Sequence, residues 1–233
     1  MLAVGCLRRE YLEKVQAMII SPGRGYIFVH IPKTGGTALS LALEAKAMKE
    51  DILIGDTPKA RARRGRMVGA KTSGRLWKHS SLAEIEGIVE RADLEDFLIV
   101  TVVRNPWDRL VSYYYWLRDQ SFSHPAVGLA KSRDFSGFLH HRLTQTALRL
   151  WPYGRYLQDG GGRELPALIL RHEALGQDVG RLEAEIGCKL VLPRINMSDR
   201  KADWRGYYTL RDQALVAELC AEDIARFGYR FEG

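Results

Sequence analysis

The stretch YIFVHIPKTGGTALSLALEAKAM, residues 26–48, governs how the whole chain is read. Its opening, residues 26–31, is aromatic and β-branched, the composition of a buried strand. Residues 37–48 are rich in Ala and Leu and read as a helix. Between them lies PKTGGT, which makes the stretch a strand–loop–helix anion trap. Gly35 and Gly36 let backbone N–H groups turn inward around phosphate-like oxygens. The start of the helix adds unpaired donors and a partial positive charge. Lys33 brings a mobile full charge, and the hydroxyls of Thr34 and Thr37 offer further hydrogen bonds. The alternative is a glycine-bearing turn with an exposed lysine.

A second stretch, FLIVTVVRNPWDRLVSYYYWLR at residues 97–118, has the same construction. Residues 97–103 form a continuous apolar run, the pattern of a strand covered on both faces. Arg104 stands just past its carboxyl end. Asn105 caps the next helix, Pro106 suits its first position and Asp108 favours its first turn, so the helix starts at Pro106. Ser112 lies about two turns in, on the face of Asp108, and leans back toward Arg104. An arginine fork plus a hydroxyl makes a clamp for a terminal phosphate. The alternative is that Arg104 pairs with a structural carboxylate and Ser112 is a small packing residue. Open parallel sheets bind ligands beyond the carboxyl ends of their strands, and both groups fall at that edge.

Two more strands are expected at 67–70 (MVGA) and 167–170 (ALIL), with further helices at 82–91, 107–118, 177–186 and 210–227. Alternating strand and helix gives an α/β fold with a mainly parallel sheet and helices on both faces. Residues 121–165 hold His, Pro and Gly clusters and read as a helical insertion or lid. With 233 residues, 46% of them hydrophobic and 27% charged, one domain is the simplest organisation.

No apolar run approaches the ~18 residues that span a bilayer. The N-terminus, MLAVGCLRREYLEKVQAMIIS, breaks its apolar runs with charges and lacks a signal-peptide core, so the chain is expected in the cytoplasm. Cys6, Cys188 and Cys220 are widely spaced with no CxxC pair, which argues against disulfides and a cysteine zinc site. The net charge is +7, and five cations crowd one stretch: Lys59, Arg61, Arg63, Arg64 and Arg66. They form either a solvated basic loop or a landing surface for an anionic ligand.

HIPKTGGT, residues 30–37, resembles the 5′-phosphosulfate loop of carbohydrate-type sulfotransferases. VRNPWDRLVSYY, residues 103–114, resembles the 3′-phosphate motif of the same family, whose arginine and serine correspond to Arg104 and Ser112. Weaker likenesses run through KHSS at 78–81, LILRHEAL at 168–175, LPRINMSDR at 192–200 and RFGYRF at 226–231, so the resemblance covers about residues 26–231. It implies a P-loop-like three-layer α/β fold without a metal. It implies 3′-phosphoadenosine 5′-phosphosulfate (PAPS) as sulfuryl donor and adenosine 3′,5′-bisphosphate as product. The acceptor it implies is a hydroxyl, by resemblance that of a carbohydrate or glycoconjugate, with no nucleic-acid partner. The chain departs from membrane-anchored relatives in lacking an anchor and a lumenal cysteine pattern, which favours a soluble, bacterial-style enzyme.

Sulfuryl transfer, like phosphoryl transfer, rests on positioning and electrostatics. Lys33 is expected to stabilise the leaving phosphate oxygen, and the amides of Gly35, Gly36, Thr37 and Ala38 to hold the 5′-phosphate. His79 is expected to take the acceptor's proton, since an imidazole titrates near the working pH. Its alternative is a surface or capping histidine, and Glu84 or Glu86 are other candidate bases. By resemblance, Ser198 and Arg200 close over the nucleotide. His30 reads as a core residue, His172 as a partner of Glu173, and Trp204, Tyr207 and Tyr208 as packing residues that otherwise stack on a base. Two rival readings are an ATP-dependent small-molecule kinase and a non-catalytic polyanion-binding protein. The first lacks the GxxxxGK[ST] order, because Lys33 precedes both glycines and the third strand ends in Arg104 rather than Asp. The second leaves two phosphate-type motifs unexplained.

Overall fold

The computed structural model describes residues 16–193 and 203–232. In chain order the strands are β1 Ala17–Ser21, β2 Tyr26–Val29, β3 Ile52–Gly55, β4 Leu98–Val103 and β5 Ala167–Arg171. They form one sheet in the order β3-β1-β2-β4-β5. Val29 of β2 lies opposite Thr101 of β4, and Thr101 opposite Ile169 of β5, both pairings parallel. β1 pairs antiparallel with β2 and with β3, so it alone runs against the other four strands. The helices are α1 Gly36–Ala45, α2 Pro58–Ala62, α3 Leu82–Ile85, α4 Pro106–Arg118, α5 Pro125–Ser132, α6 Phe135–Leu139, α7 Arg142–Leu150, α8 Tyr153–Tyr156, α9 Leu175–Ile186, α10 Leu210–Leu219 and α11 Ala221–Phe227. The chain is thus an α/β protein with a mainly parallel central sheet flanked by helices. Two compact units divide the described residues: 16–103 with 155–193, and 104–154 with 203–232.

The first unit holds the sheet. Period-two alternation sends Ile19, Tyr26, Phe28, Val100 and Val102 to one face, where Leu39 and Leu43 of α1, Ala60 of α2 and Leu182 of α9 join them in one core. Ile20, Ile27, Ile99 and Thr101, on the other face, are buried as well. Burial on both faces is why β4 reads as an unbroken apolar run.

The sequence reading placed a strand at 67–70, and this is corrected. Residues Arg64–Met67 form a 3-10 turn, Val68 is 84% exposed, and Gly69 has φ 86°, outside the strand region. The strand is β3 instead, four residues long. The helix expected at 82–91 stops at Ile85, because Glu86 is extended and Gly87 has φ 95°. The helix expected at 210–227 breaks at Cys220, which separates α10 from α11.

In the second unit α4 is the central helix. Tyr114 meets Phe135 and Phe138 at 5.4 and 5.3 Å and donates its hydroxyl to the Arg133 carbonyl. Residues 121–154 are helical in short pieces, α5 to the start of α8, with Asp134 capping α6. Asp212, fully buried, accepts from Ser136 and Thr209 at 2.7 Å each and bonds His140 at 2.9 Å. These partners outweigh the burial and hold its carboxyl below the usual range.

Asp223 shows the opposite balance. It is 3% exposed and accepts from the Tyr153 amide, yet burial pushes its carboxyl up to about 6. Folding therefore favours its protonated form, and this group's contribution to stability declines as pH rises from about 4 to 6. Asp223→Asn should then stabilise the protein at pH 7.5 by roughly 2–3 kcal/mol. The gain should vanish near pH 4, as read by urea unfolding at the two pH values. An equal gain at both would remove the buried charge as its cause.

Candidate functional site

The candidate residues fall in two groups, one in each unit. The first begins where β2 ends. Lys33 sits in the left-handed region at φ 63°, alone among the described non-glycine residues. For a side chain that conformation costs about 1–2 kcal/mol, which the surrounding loop must hold in place. Gly35 follows at φ 83° as the N-cap of α1. With no side chain at that cap and no acidic residue in the first turn, α1 begins with its amides and dipole uncompensated by its own residues.

Both glycines are pressed against imidazoles. A Cβ on Gly35 would stand 2.1 Å from His172 Nδ1, and one on Gly36 would stand 2.7 Å from His30 Cδ2. Any larger residue would displace a ring. His172 follows β5, the next parallel strand but one, so it reaches the loop from the same sheet edge. Sequence reasoning paired it with Glu173 and missed this contact, although its place after a parallel strand was the available signal.

The two threonines are engaged differently. Thr34, fully buried, donates its hydroxyl to the Ile31 carbonyl at 2.9 Å and so closes the turn. Thr37 accepts from Gln16 Nε2 at 2.7 Å, which keeps its own hydroxyl proton for donation. Ala38, in the first turn of α1, is half-buried.

The structure brings His79 to this loop. Its Nδ1 lies 2.8 Å from the His30 carbonyl, and its ring meets the rings of His30 and Trp77 edge-on at 4.8 and 5.0 Å. A carbonyl only accepts, so Nδ1 carries the proton and the lone pair of the neutral ring is on Nε2. His30 itself is 2% exposed. Burial, reinforced by the neighbouring His79, Lys78 and Lys33, holds its imidazole well below the usual histidine range, so it stays neutral. Glu84 closes a capping box with Ser81, and Glu86 accepts from the Gly160 amide, so both carboxylates have local structural partners.

The basic stretch has a structural use. Lys59 donates to the Glu44 carbonyl, Arg63 to those of Met48 and Asp51, and Arg66 to that of Asp51. Arg24 reaches the Lys46 carbonyl from the other side. These cations meet the exposed carbonyls at and beyond the carboxyl end of α1, where the helix dipole favours positive charge.

The second group follows β4 directly in the chain. Arg104 is 8% exposed, and its Nε and Nη2 both reach Asp108 Oδ2, at 2.7 and 2.6 Å. Arg104 thus has a carboxylate partner one turn on in the same segment. Asn105 caps α4 through the Trp107 amide and donates to the Arg230 carbonyl at 2.9 Å, and the Tyr153 hydroxyl donates to the Arg104 carbonyl at 2.6 Å. Ser112 is buried one turn beyond Asp108. Trp204 and Tyr208 each meet Phe231 edge-on, and the Tyr208 hydroxyl donates to the Trp107 carbonyl, so these rings pack the second unit. Ser198 and Arg200 lie outside the described residues. No group of three or more metal-ligating side chains occurs among the described residues.

The glycine contacts give a direct test. Gly35→Ala should cost roughly 2–4 kcal/mol through its positive φ and its collision with His172. Adding His172→Ala should recover part of that loss, with a coupling of roughly 1–3 kcal/mol in urea unfolding. Strict additivity would mean the ring does not confine the loop.

A family model described as Sulfotransferase family matches residues 16–150, more than half of the chain. No functionally curated protein matches. The solved structure of mouse sulfotransferase SULT7A1 complexed with PAP aligns at 14% identity, covering 88% of this chain and 85% of that one, with a TM-score of 0.42. On the family match, and with a lysine-led loop between β2 and α1 inside the matched residues, this chain belongs to the sulfotransferase family.

Proposed function

We propose that this protein is a PAPS-dependent sulfotransferase acting on a hydroxyl, that of a carbohydrate or glycoconjugate. The observation that carries the reading is the bond between His79 Nδ1 and the carbonyl of His30, three residues before Lys33. It supports the reading by orienting an imidazole, the proposed base, beside the lysine-bearing loop.

The loop fits the phosphosulfate end of such a donor. Gly35 and Gly36 carry no side chains, and the space beside each is filled by an imidazole ring, so the backbone itself is the surface a ligand's oxygens would meet. The uncapped first turn of α1 supplies the amides of Gly36, Thr37 and Ala38. When bound, PAPS supplies a sulfuryl group whose bond to the 5′-phosphate oxygen breaks, leaving the electron pair on that oxygen, as the acceptor oxygen bonds to sulfur.

Each residue has one task. His79 Nε2 takes the acceptor's hydroxyl proton, and the His30 carbonyl steadies the resulting imidazolium through Nδ1–H. Lys33 offsets the charge that grows on the leaving oxygen. Thr37 donates its remaining proton to a phosphate oxygen, and Thr34 shapes the turn. Arg104, oriented by Asp108, and Ser112 recognise the 3′-phosphate.

Release of adenosine 3′,5′-bisphosphate from PAPS over a panel of hydroxyl acceptors tests these roles. Lys33→Ala should lower kcat/KM by roughly 10²–10³-fold or more. His79→Ala should lower kcat by about 10²–10⁴-fold. It should leave affinity for the bisphosphate within about twofold. Full turnover in the His79 variant would remove it as the base.

A further inference from the structure

We infer that a cavity at the carboxyl end of β3 receives the acceptor and selects one that carries an anionic group beside a flat ring. This rests on the reading of His79 as the base.

The cavity has a volume of about 460 Å³, within the range of small-molecule sites. Its walls include Asp56, Arg64, Met67, Arg75, Trp77 and Lys78. β3 runs in the same direction as β2, so the cavity opens at the sheet edge where the Lys33 loop leaves β2. Trp77 joins the two places. Its indole, 45% exposed, lines the cavity and also meets the His79 ring at 5.0 Å. Trp77 thus borders the cavity on one hand and the ring of the proposed base on the other.

The charges in the wall are unbalanced. Lys78 lies 3.4 Å from Asp56, which answers one cation with one carboxylate. Arg64 and Arg75 have no hydrogen bond or ion pair from their side chains to any described residue. Their neighbours behave otherwise: Lys59, Arg63 and Arg66 each end on a backbone carbonyl. Two arginines lining one cavity match a carboxylate or sulfate, which their guanidinium groups can hold through paired N–H donors. Trp77 and Met67 add an apolar surface for the face of a sugar or aryl ring.

The test compares p-nitrophenyl β-glucuronide with p-nitrophenyl β-glucoside, which share ring and aglycone and differ in a carboxylate. Titrations use the full chain, with adenosine 3′,5′-bisphosphate titrated separately. The wild-type protein should bind the glucuronide about tenfold or more tightly than the glucoside. In Arg64→Ala/Arg75→Ala the preference should fall to within about twofold, and Arg64→Lys/Arg75→Lys should keep most of it. All three proteins should bind the bisphosphate alike, which also shows that they are folded. Equal binding of the two glycosides by wild type, binding of neither, or a preference that survives the double alanine change overturns the inference. So does loss of bisphosphate affinity in the alanine variant, because the cavity would then hold the nucleotide. Failure of wild type to bind the bisphosphate at all counts against the sulfotransferase reading itself, whatever the glycosides do.

Discussion

Two glycines with no room for a Cβ, held between two imidazole rings, are the constraint from which the first unit's chemistry follows. His30 fills the space beside Gly36, and His172 the space beside Gly35. Just before the two glycines in the loop, Lys33 stands at φ 63°. The loop is therefore set before any ligand arrives, which is how an electrostatic site avoids reorganising during a reaction. His30 serves twice, because its carbonyl also orients His79. Burial keeps its own ring neutral.

Helix α1 carries that constraint to its far end. Its amino end has no cap of its own, while its carboxyl end is met by Arg24, Lys59, Arg63 and Arg66. Cations gathered at one end leave the dipole's positive end turned to the loop. Much of the chain's net charge of +7 thus concerns helix termination rather than a general affinity for polyanions. Arg64 and Arg75 are exceptions within that region, and they line a cavity instead.

The glycine–lysine loop and the start of α4 were legible in the sequence because each depends on local rules. A buried β-branched run, a Gly pair and an Asn-Pro cap say the same thing in any fold. β1 and β3 were not legible, because AMIIS and ILIG are too short to show a period and follow charged or irregular segments. Their pairing with each other and with β2 is long-range information. The supposed strand at 67–70 had the right apolar residues but lies in a turn whose glycine has a positive φ. His79 could be proposed from its chemistry, yet its tautomer depends on a carbonyl 49 positions earlier in the chain. The contact of His172 with Gly35 is invisible for the same reason, since only the sheet order brings β5's end to the loop.

The central claim is that the chain recognises a nucleotide with phosphates at both the 3′ and 5′ positions. Calorimetric titration of adenosine 3′,5′-bisphosphate against adenosine 5′-monophosphate, without metal, measures this directly. The account predicts that the 3′-phosphate strengthens binding by roughly 2–4 kcal/mol, about 30- to 1,000-fold, and that Arg104→Ala abolishes the difference. Equal affinity for the two nucleotides, or an undiminished preference in the Arg104 variant, would contradict it.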